Sequence, residues 1–298
     1  MATVISAIPD HIAKAIHRIG ANFDPDIRAE ILALYDEIHS ARPASRARVV
    51  RDRKYGPGDR HALDVHIPSE GQGQGPFPVI VFFHGGGFIE GHKNIGAGNI
   101  FGNIGETFTA RGFVTVNATY QLAPEAPWPE GATQIGLAAD WVQANIAEFG
   151  GDPDRVFLMG HSAGGTHVAS LVYHDGQRDD ALNCAGVVLV SATTDVGDIA
   201  PRPNLVAYYG DDAYHYARMA TVRNIAAVST PVMVINAEFD PPYFIEQAAA
   251  FVGALRRATD TEPVVAFILG HNHVSEIYHI GTDDDSIASQ IVDFCLSV

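Results

Sequence analysis

Gly160-His161-Ser162-Ala163-Gly164-Gly165, GHSAGG, follows the apolar run Val156-Phe157-Leu158-Met159 without a polar break. A turn that needed only flexibility could use Asn-Gly or Asp-Gly. Small residues on both sides of one serine indicate something more constrained. The chain leaves a buried strand, bends sharply at Ser162 and enters a helix over 163–173, with glycines letting helix and strand approach. The first N–H groups of that helix then face the bend and favour negative charge there. The competing reading is a tight turn carrying a surface serine. An apolar strand before it and a helical pattern after it weigh against that.

Working outward, runs apolar on both faces recur at 79–83, 113–116, 185–190, 231–236 and 264–269. Helical spacing fills 132–149, 244–258 and 286–296. Strands of this kind alternating with helices predict a mostly parallel sheet covered on both sides. Upstream, 46–55 and 61–67 read as a strand pair around Gly56-Pro57-Gly58-Asp59, with Leu63, Val65 and Ile67 alternating with polar residues. That makes eight strands. The stretch 69–76, SEGQGQGP, reads as a flexible loop too short to link domains.

Two amphipathic helices precede the first strand. Asp10 caps one bearing Ile12, Ile16 and Ile19; Asp24-Pro25 caps one bearing Ile27, Ile31, Leu34 and Ile38. The interval 195–228, with Pro201, Pro203, Tyr208 and Tyr209, breaks the strand–helix rhythm and reads as an insertion over one end of the sheet. The expected organisation is therefore one catalytic α/β domain over 46–298, capped by the helices of 1–45 and the 195–228 insertion. These caps are expected to roof the site and bound its pocket.

The chain has 298 residues, 47% hydrophobic, and 19 basic against 35 acidic residues give a net charge of −16. Nucleic acid and anionic membrane surfaces would repel it, so neither is expected as a partner. Pro9-Asp10 interrupts the N-terminal apolar stretch, and no run of about 18 apolar residues occurs, so neither a signal peptide nor a membrane span is expected. A cytoplasmic protein follows, with a homodimer left open. Cys184 and Cys295 lie far apart and read as two buried thiols; no metal-ligand spacing of cysteines exists.

A serine needs a base and an oxyanion site to act as nucleophile. His84-Gly85-Gly86-Gly87-Phe88 ends the strand 79–83 at the same sheet edge, and its glycines leave backbone N–H groups open to a carbonyl oxygen. Gly86, Gly87 and Ala163 are the expected donors, and His84 shapes the loop. The strand 231–236 ends in Ala237-Glu238-Phe239-Asp240, presenting Asp240; Glu238, nearer the strand, is read as a loop support. After 264–269 come His271 and His273, two apart, so only one can face Ser162. The packing of 275–280 favours His273 as the base and leaves His271 on the loop or rim. The remaining histidines read as surface or satisfied polar residues.

HGGGF, Tyr120-Gln121-Leu122-Ala123-Pro124-Glu125, GGDPDRVFLMGHSAGG, AEFD and HNHVSEI together resemble α/β-hydrolase serine esterases of the hormone-sensitive-lipase-like group. YGPGDRHALDVHIP, GHSAGG and HNHVSEI also resemble the kynurenine formamidase branch, where the histidine preceding an apolar residue is catalytic; here that is His273 before Val274. The resemblance implies an α/β-hydrolase fold and a Ser162–His273–Asp240 triad with no metal or organic cofactor. The implied activity is hydrolysis of short- to medium-chain carboxylic esters. Arylformamidase activity on N-formylkynurenine and an inactive ligand-binding fold are the alternatives.

Overall fold

The computed structural model describes residues 8–22, 24–43, 47–69, 73, 75–177, 182–197 and 199–298. Parts of the expected 69–76 loop, of the 1–45 segment and of the first strand, and one residue of the 195–228 insertion, lie outside them. Eight strands form one sheet: β1 (Arg48–Lys54), β2 (Ala62–Ile67), β3 (Phe77–Phe83), β4 (Val114–Ala118), β5 (Gly151–His161), β6 (Gly186–Val190), β7 (Val232–Phe239) and β8 (Val264–Asn272). Their order is β1-β2-β4-β3-β5-β6-β7-β8. β2 pairs antiparallel with β1 and β4; every later pairing is parallel.

The helices are α1 (Asp10–Ile19), α2 (Pro25–Ser40), α3 (Gly102–Ala110), α4 (Glu130–Asn145), α5 (Ala163–Tyr173), α6 (Pro203–Tyr209), α7 (Tyr216–Met219), α8 (Pro242–Ala258), α9 (Ser275–Tyr278) and α10 (Ala288–Ser297). Period-two alternation along β3 divides the core. Val79, Val81 and Phe83 join Ile135, Val168 and Phe251 from α4, α5 and α8 on one face. Ile80 and Phe82 join Ile104, Ile291 and Phe294 from α3 and α10 on the other. Burying both faces is why these strands read as unbroken apolar runs.

From β3 the chain steps to β4 on one side, and β5 then opens the other side. The carboxyl ends of β3 and β5 therefore flank the point where the winding reverses, the usual place for a ligand in such a sheet. HGGG leaves β3 there, and GHSAGG leaves β5.

Ile12, Ile16, Ile19 and Ile31 belong to the second core face; α1 packs on β8 and α2 on α9. A third apolar cluster gathers Val196, Leu205, Tyr208, Tyr209, Tyr216 and Ala220 around Phe88 of the HGGGF loop and Ala163 of α5. Helix α3 has no counterpart in the sequence reading. Gly102, Gly105 and three β-branched residues give it poor intrinsic propensity, and packing of Ile104 and Phe108 holds it. Gly105 is needed for close approach: a Cβ there would lie 2.5 Å from the His66 ring.

Both cysteines are free thiols; Cys295 is buried as expected, whereas Cys184 is only half-buried. Ala266 and Ile268 of edge strand β8 face the core, while Val265, Phe267 and Leu269 on its other side are exposed. Among the described residues no helix is long and apolar enough to cross a membrane.

Candidate active site

Ser162 sits between β5 and α5 with φ 51° and ψ −119°, a conformation sterically costly for any residue with a Cβ. Its backbone N–H donates to Val190 O at 2.8 Å, and Thr166 N–H donates to Ser162 O at 2.9 Å, so the bend is held on both sides. The crowding explains the flanking small residues. A Cβ at Gly164 would lie 2.3 Å from Phe83 O, and one at Gly85 would lie 3.2 Å from Ser162 Cβ. The HGGG loop therefore rests directly on the serine.

His273 follows the end of β8 and is buried. Its Nε2 lies 3.0 Å from Ser162 Oγ, and its Nδ1 lies 2.9 Å from Asp240 Oδ1. Phe244 stacks on the imidazole with centroids 4.0 Å apart at 18°. Ring orientation is thus fixed by one hydrogen bond at each nitrogen and an aromatic plate.

Asp240, buried at the end of β7, places its Oδ2 among three donors. Ser191 Oγ donates at 2.6 Å, Ala237 N–H at 2.9 Å and Asn236 Nδ2 at 3.0 Å. Burial pushes this carboxyl up, but the hydrogen bond and charge of His273, with the Ser191 and Asn236 donors, hold it below the usual range. Glu238 is spent elsewhere: it is exposed and accepts from Gly270 N–H at 2.7 Å, the support expected of it.

On the other side of Ser162, Gly86 and Gly87 adopt φ 138° and 55°. A Cβ at Gly86 would collide with Glu90 O at 1.9 Å. Ala163 opens α5, so its amide has no carbonyl within its own helix to bond. His84 is fully buried beneath this loop, 2.7 Å from Gly85 O through Nδ1 and stacked on Tyr120. Burial pushes its pKa down to about 3, so it carries no charge near neutrality. Asn204 of α6 donates to Gly87 O at 3.3 Å, joining the 195–228 segment to the glycine loop.

His271 is not the rim residue the sequence suggests. It is fully buried, with Nε2 3.2 Å from Asp284 Oδ2 and Nδ1 3.1 Å from Ser275 Oγ, and it stacks on His279 at 3.9 Å. The alternation of an extended chain sends it to the opposite side from His273, and on that side lies protein rather than solvent. The expectation that other histidines are surface or satisfied residues also fails in part. His66, His84 and His161 are buried, each with one ring nitrogen lacking a partner.

Ser191, Asn236, His161 and Glu276 escaped the sequence reading. Ser191 carries no spacing signal, because it reaches Asp240 only through the parallel pairing of β6 and β7, whereas Asn236 lies four residues before Asp240 in β7 itself. His161 and Glu276 lie inside quoted motifs, and their polarity at buried positions was the available clue. His161 with His273 and Glu276, and His271 with His279 and Asp284, are residue types that hold metal ions. In both groups ring nitrogens already bond protein atoms.

A sheet of this order, with a strained serine at its elbow and a histidine and carboxylate from later strands, defines an α/β-hydrolase. Residues 63–255 match the BD-FAE family, well over half of the chain, and the chain belongs to that family. It is 34% identical over 122 residues to isoprenylcysteine alpha-carbonyl methylesterase ICME of Arabidopsis thaliana, covering 41% of this chain and 27% of that protein. It is 27% identical over 227 residues to esterase LipQ of Mycobacterium tuberculosis, covering 70% and 52%. Esterase B of Lactobacillus rhamnosis superposes with a TM-score of 0.72 at 16% identity, covering 94% of this chain and 96% of that one. The chain spans about a quarter to a little over half the length of the curated relatives it matches.

Proposed function

We propose that the protein is a serine carboxylesterase acting on short- to medium-chain esters. The observation that carries this reading is the continuous hydrogen-bonded series Ser162 Oγ, His273 Nε2, His273 Nδ1, Asp240 Oδ1 at 3.0 and 2.9 Å. His273 takes the Ser162 proton as the oxygen attacks the ester carbonyl; Asp240 orients the ring and stabilises its charged form. The amides of Gly86, Gly87 and Ala163 stabilise the tetrahedral oxyanion, each donor contributing roughly 3–4 kcal/mol. His273 then protonates the leaving alcohol, and water releases the acid from the acyl-enzyme by the reverse route.

The aromatic cluster of Phe88, Tyr208 and Tyr209 lies against Ala163, next to the nucleophile, and supports a bounded acyl pocket. Phe88 and Tyr208 stack 4.6 Å apart at 3°, a rigid wall. In this reading the 195–228 segment is the cap, and the N-terminal helices brace the site from the α9 side. A cytoplasmic setting fits the two free thiols. A homodimer fits the exposed Val265, Phe267 and Leu269 on an edge strand.

A panel of p-nitrophenyl acyl esters, run beside N-formylkynurenine, tests the reaction. Turnover of butyrate and hexanoate esters above N-formylkynurenine is expected. Preference for the formamide would replace the esterase reading with arylformamidase, and failure of a fluorophosphonate to label Ser162 in folded protein would remove both.

A further inference from the structure

Glu276 lies in α9, three residues after His273, and is fully buried. Neither of its carboxyl oxygens has a hydrogen-bond partner. The nearby Ser191 hydroxyl, just beyond the end of β6, is committed to Asp240 Oδ2 at 2.6 Å. His161, from β5, brings its Nε2 to 3.6 Å from Glu276 Oε1, but that N–H donates to the main-chain oxygen of His273 at 2.8 Å. Asp240, beyond β7, adds a like charge from the remaining side. The carboxyl thus sits among two imidazoles, a hydroxyl and a carboxylate with no hydrogen bond to any of them.

We propose that Glu276 is a positioning residue of the Ser162–His273–Asp240 site, acting as an uncharged carboxylic acid that leaves the His161 N–H free to hold the His273 backbone. The proposal rests on the esterase reading above. Burial first, and the Asp240 charge second, push the Glu276 carboxyl well above its ordinary range. Burial pushes His161 down to about 3, and proximity to His273 adds to this, so His161 is neutral and offers one N–H. A hydrogen bond to a carboxylate is roughly twice as strong as one to a neutral carbonyl. If Glu276 loses its proton, about 0.8 Å of approach from 3.6 Å closes a charged hydrogen bond to His161. The His273 carbonyl then loses its donor, and the imidazole that must meet Ser162 loses one of its anchors. The neutral acid fills the space without starting that exchange.

The test is the pH profile of p-nitrophenyl butyrate hydrolysis by wild type and Glu276→Gln from about pH 6 to about pH 10. Glu276→Gln is expected to keep kcat/KM within about threefold of wild type near pH 7, and its alkaline decline is expected at least about one pH unit higher. A uniform loss with an unmoved alkaline limb would show a merely structural residue and overturn the proposal. Thermal midpoints give a readout independent of turnover. A carboxyl raised above its unfolded value of about 4.3 leaves stability intact below that pH and removes it as pH rises through the folded value. Glu276→Gln should therefore gain on wild type progressively as pH rises, and a difference flat in pH overturns the proposal. Glu276→Met, equally unable to ionise, repeats both measurements should the amide not fold. If wild type hydrolyses no ester, the esterase reading fails while the midpoints still report on the carboxyl.

Discussion

His271 and His273 each close on a different buried carboxylate: His271 Nε2 lies 3.2 Å from Asp284 Oδ2, and His273 Nδ1 lies 2.9 Å from Asp240 Oδ1. Two histidine–carboxylate pairs thus lie on opposite sides of one short segment, and only the second reaches the Ser162 hydroxyl. His273→Ala should abolish ester hydrolysis. His271→Ala should retain at least about a tenth of wild-type kcat/KM per folded molecule. Its cost falls on stability, about 3 kcal/mol for breaking a buried pair, read as a Tm lower by roughly 5 °C or more. Loss of turnover in His271→Ala at unchanged Tm would exchange the two roles.

Ser162→Ala should lower kcat/KM by at least about a thousandfold while circular dichroism stays native. Its Oγ is the atom 3.0 Å from His273 Nε2. A folded variant retaining about a tenth of wild-type rate would refute the nucleophile.

Ser191→Ala removes the 2.6 Å donor to Asp240. Asp240 is held below the ordinary carboxyl range, so its stabilisation is present above about pH 4 and fades as pH falls through the depressed value. The Tm deficit of Ser191→Ala should accordingly be full at pH 7 and shrink below about pH 4, with kcat reduced roughly threefold to tenfold. A deficit that grows in acid would mean that the hydroxyl does not serve the carboxylate.

Gly164→Ala should be among the most damaging single-methyl additions in the chain, because the new Cβ meets Phe83 O at 2.3 Å. The strand β3 cannot yield without moving the HGGG loop that follows it. Expected are a loss of turnover above tenfold and a lowered Tm, by overpacking worth about 1–3 kcal/mol. A variant with wild-type rate and Tm would show that elbow and loop are not packed as described.

Tyr208→Ala opens the wall that stacks on Phe88. The ratio of octanoate to butyrate hydrolysis should rise severalfold, since one methylene in an apolar pocket is worth about 1–3 kcal/mol. An unchanged ratio would place the acyl chain elsewhere.

The eight strands were legible because sheet burial on both faces imposes long apolar runs, and the elbow was legible because its crowding demands small residues. Helix α3 was not, since contacts of Ile104 and Phe108 override a sequence poor in helix formers. At the site, Ser162, Asp240 and His273 each end a strand and could be found in order along the chain. Ser191 could not: its bond to Asp240 spans 49 residues and depends on the register of β6 against β7. His271 was misplaced for a related reason. Its two-residue offset from His273 correctly gave opposite directions, but only the fold reveals that Asp284, Ser275 and His279 fill the far side.

The backbone of Ser162, at φ 51° and ψ −119°, sets durability against turnover at a single position. Every residue with a Cβ is disfavoured there by about 1–3 kcal/mol, and glycine is not. Ser162→Gly should therefore melt above both wild type and Ser162→Ala while hydrolysing nothing. A lineage of this chain selected for heat resistance alone would drift toward that glycine.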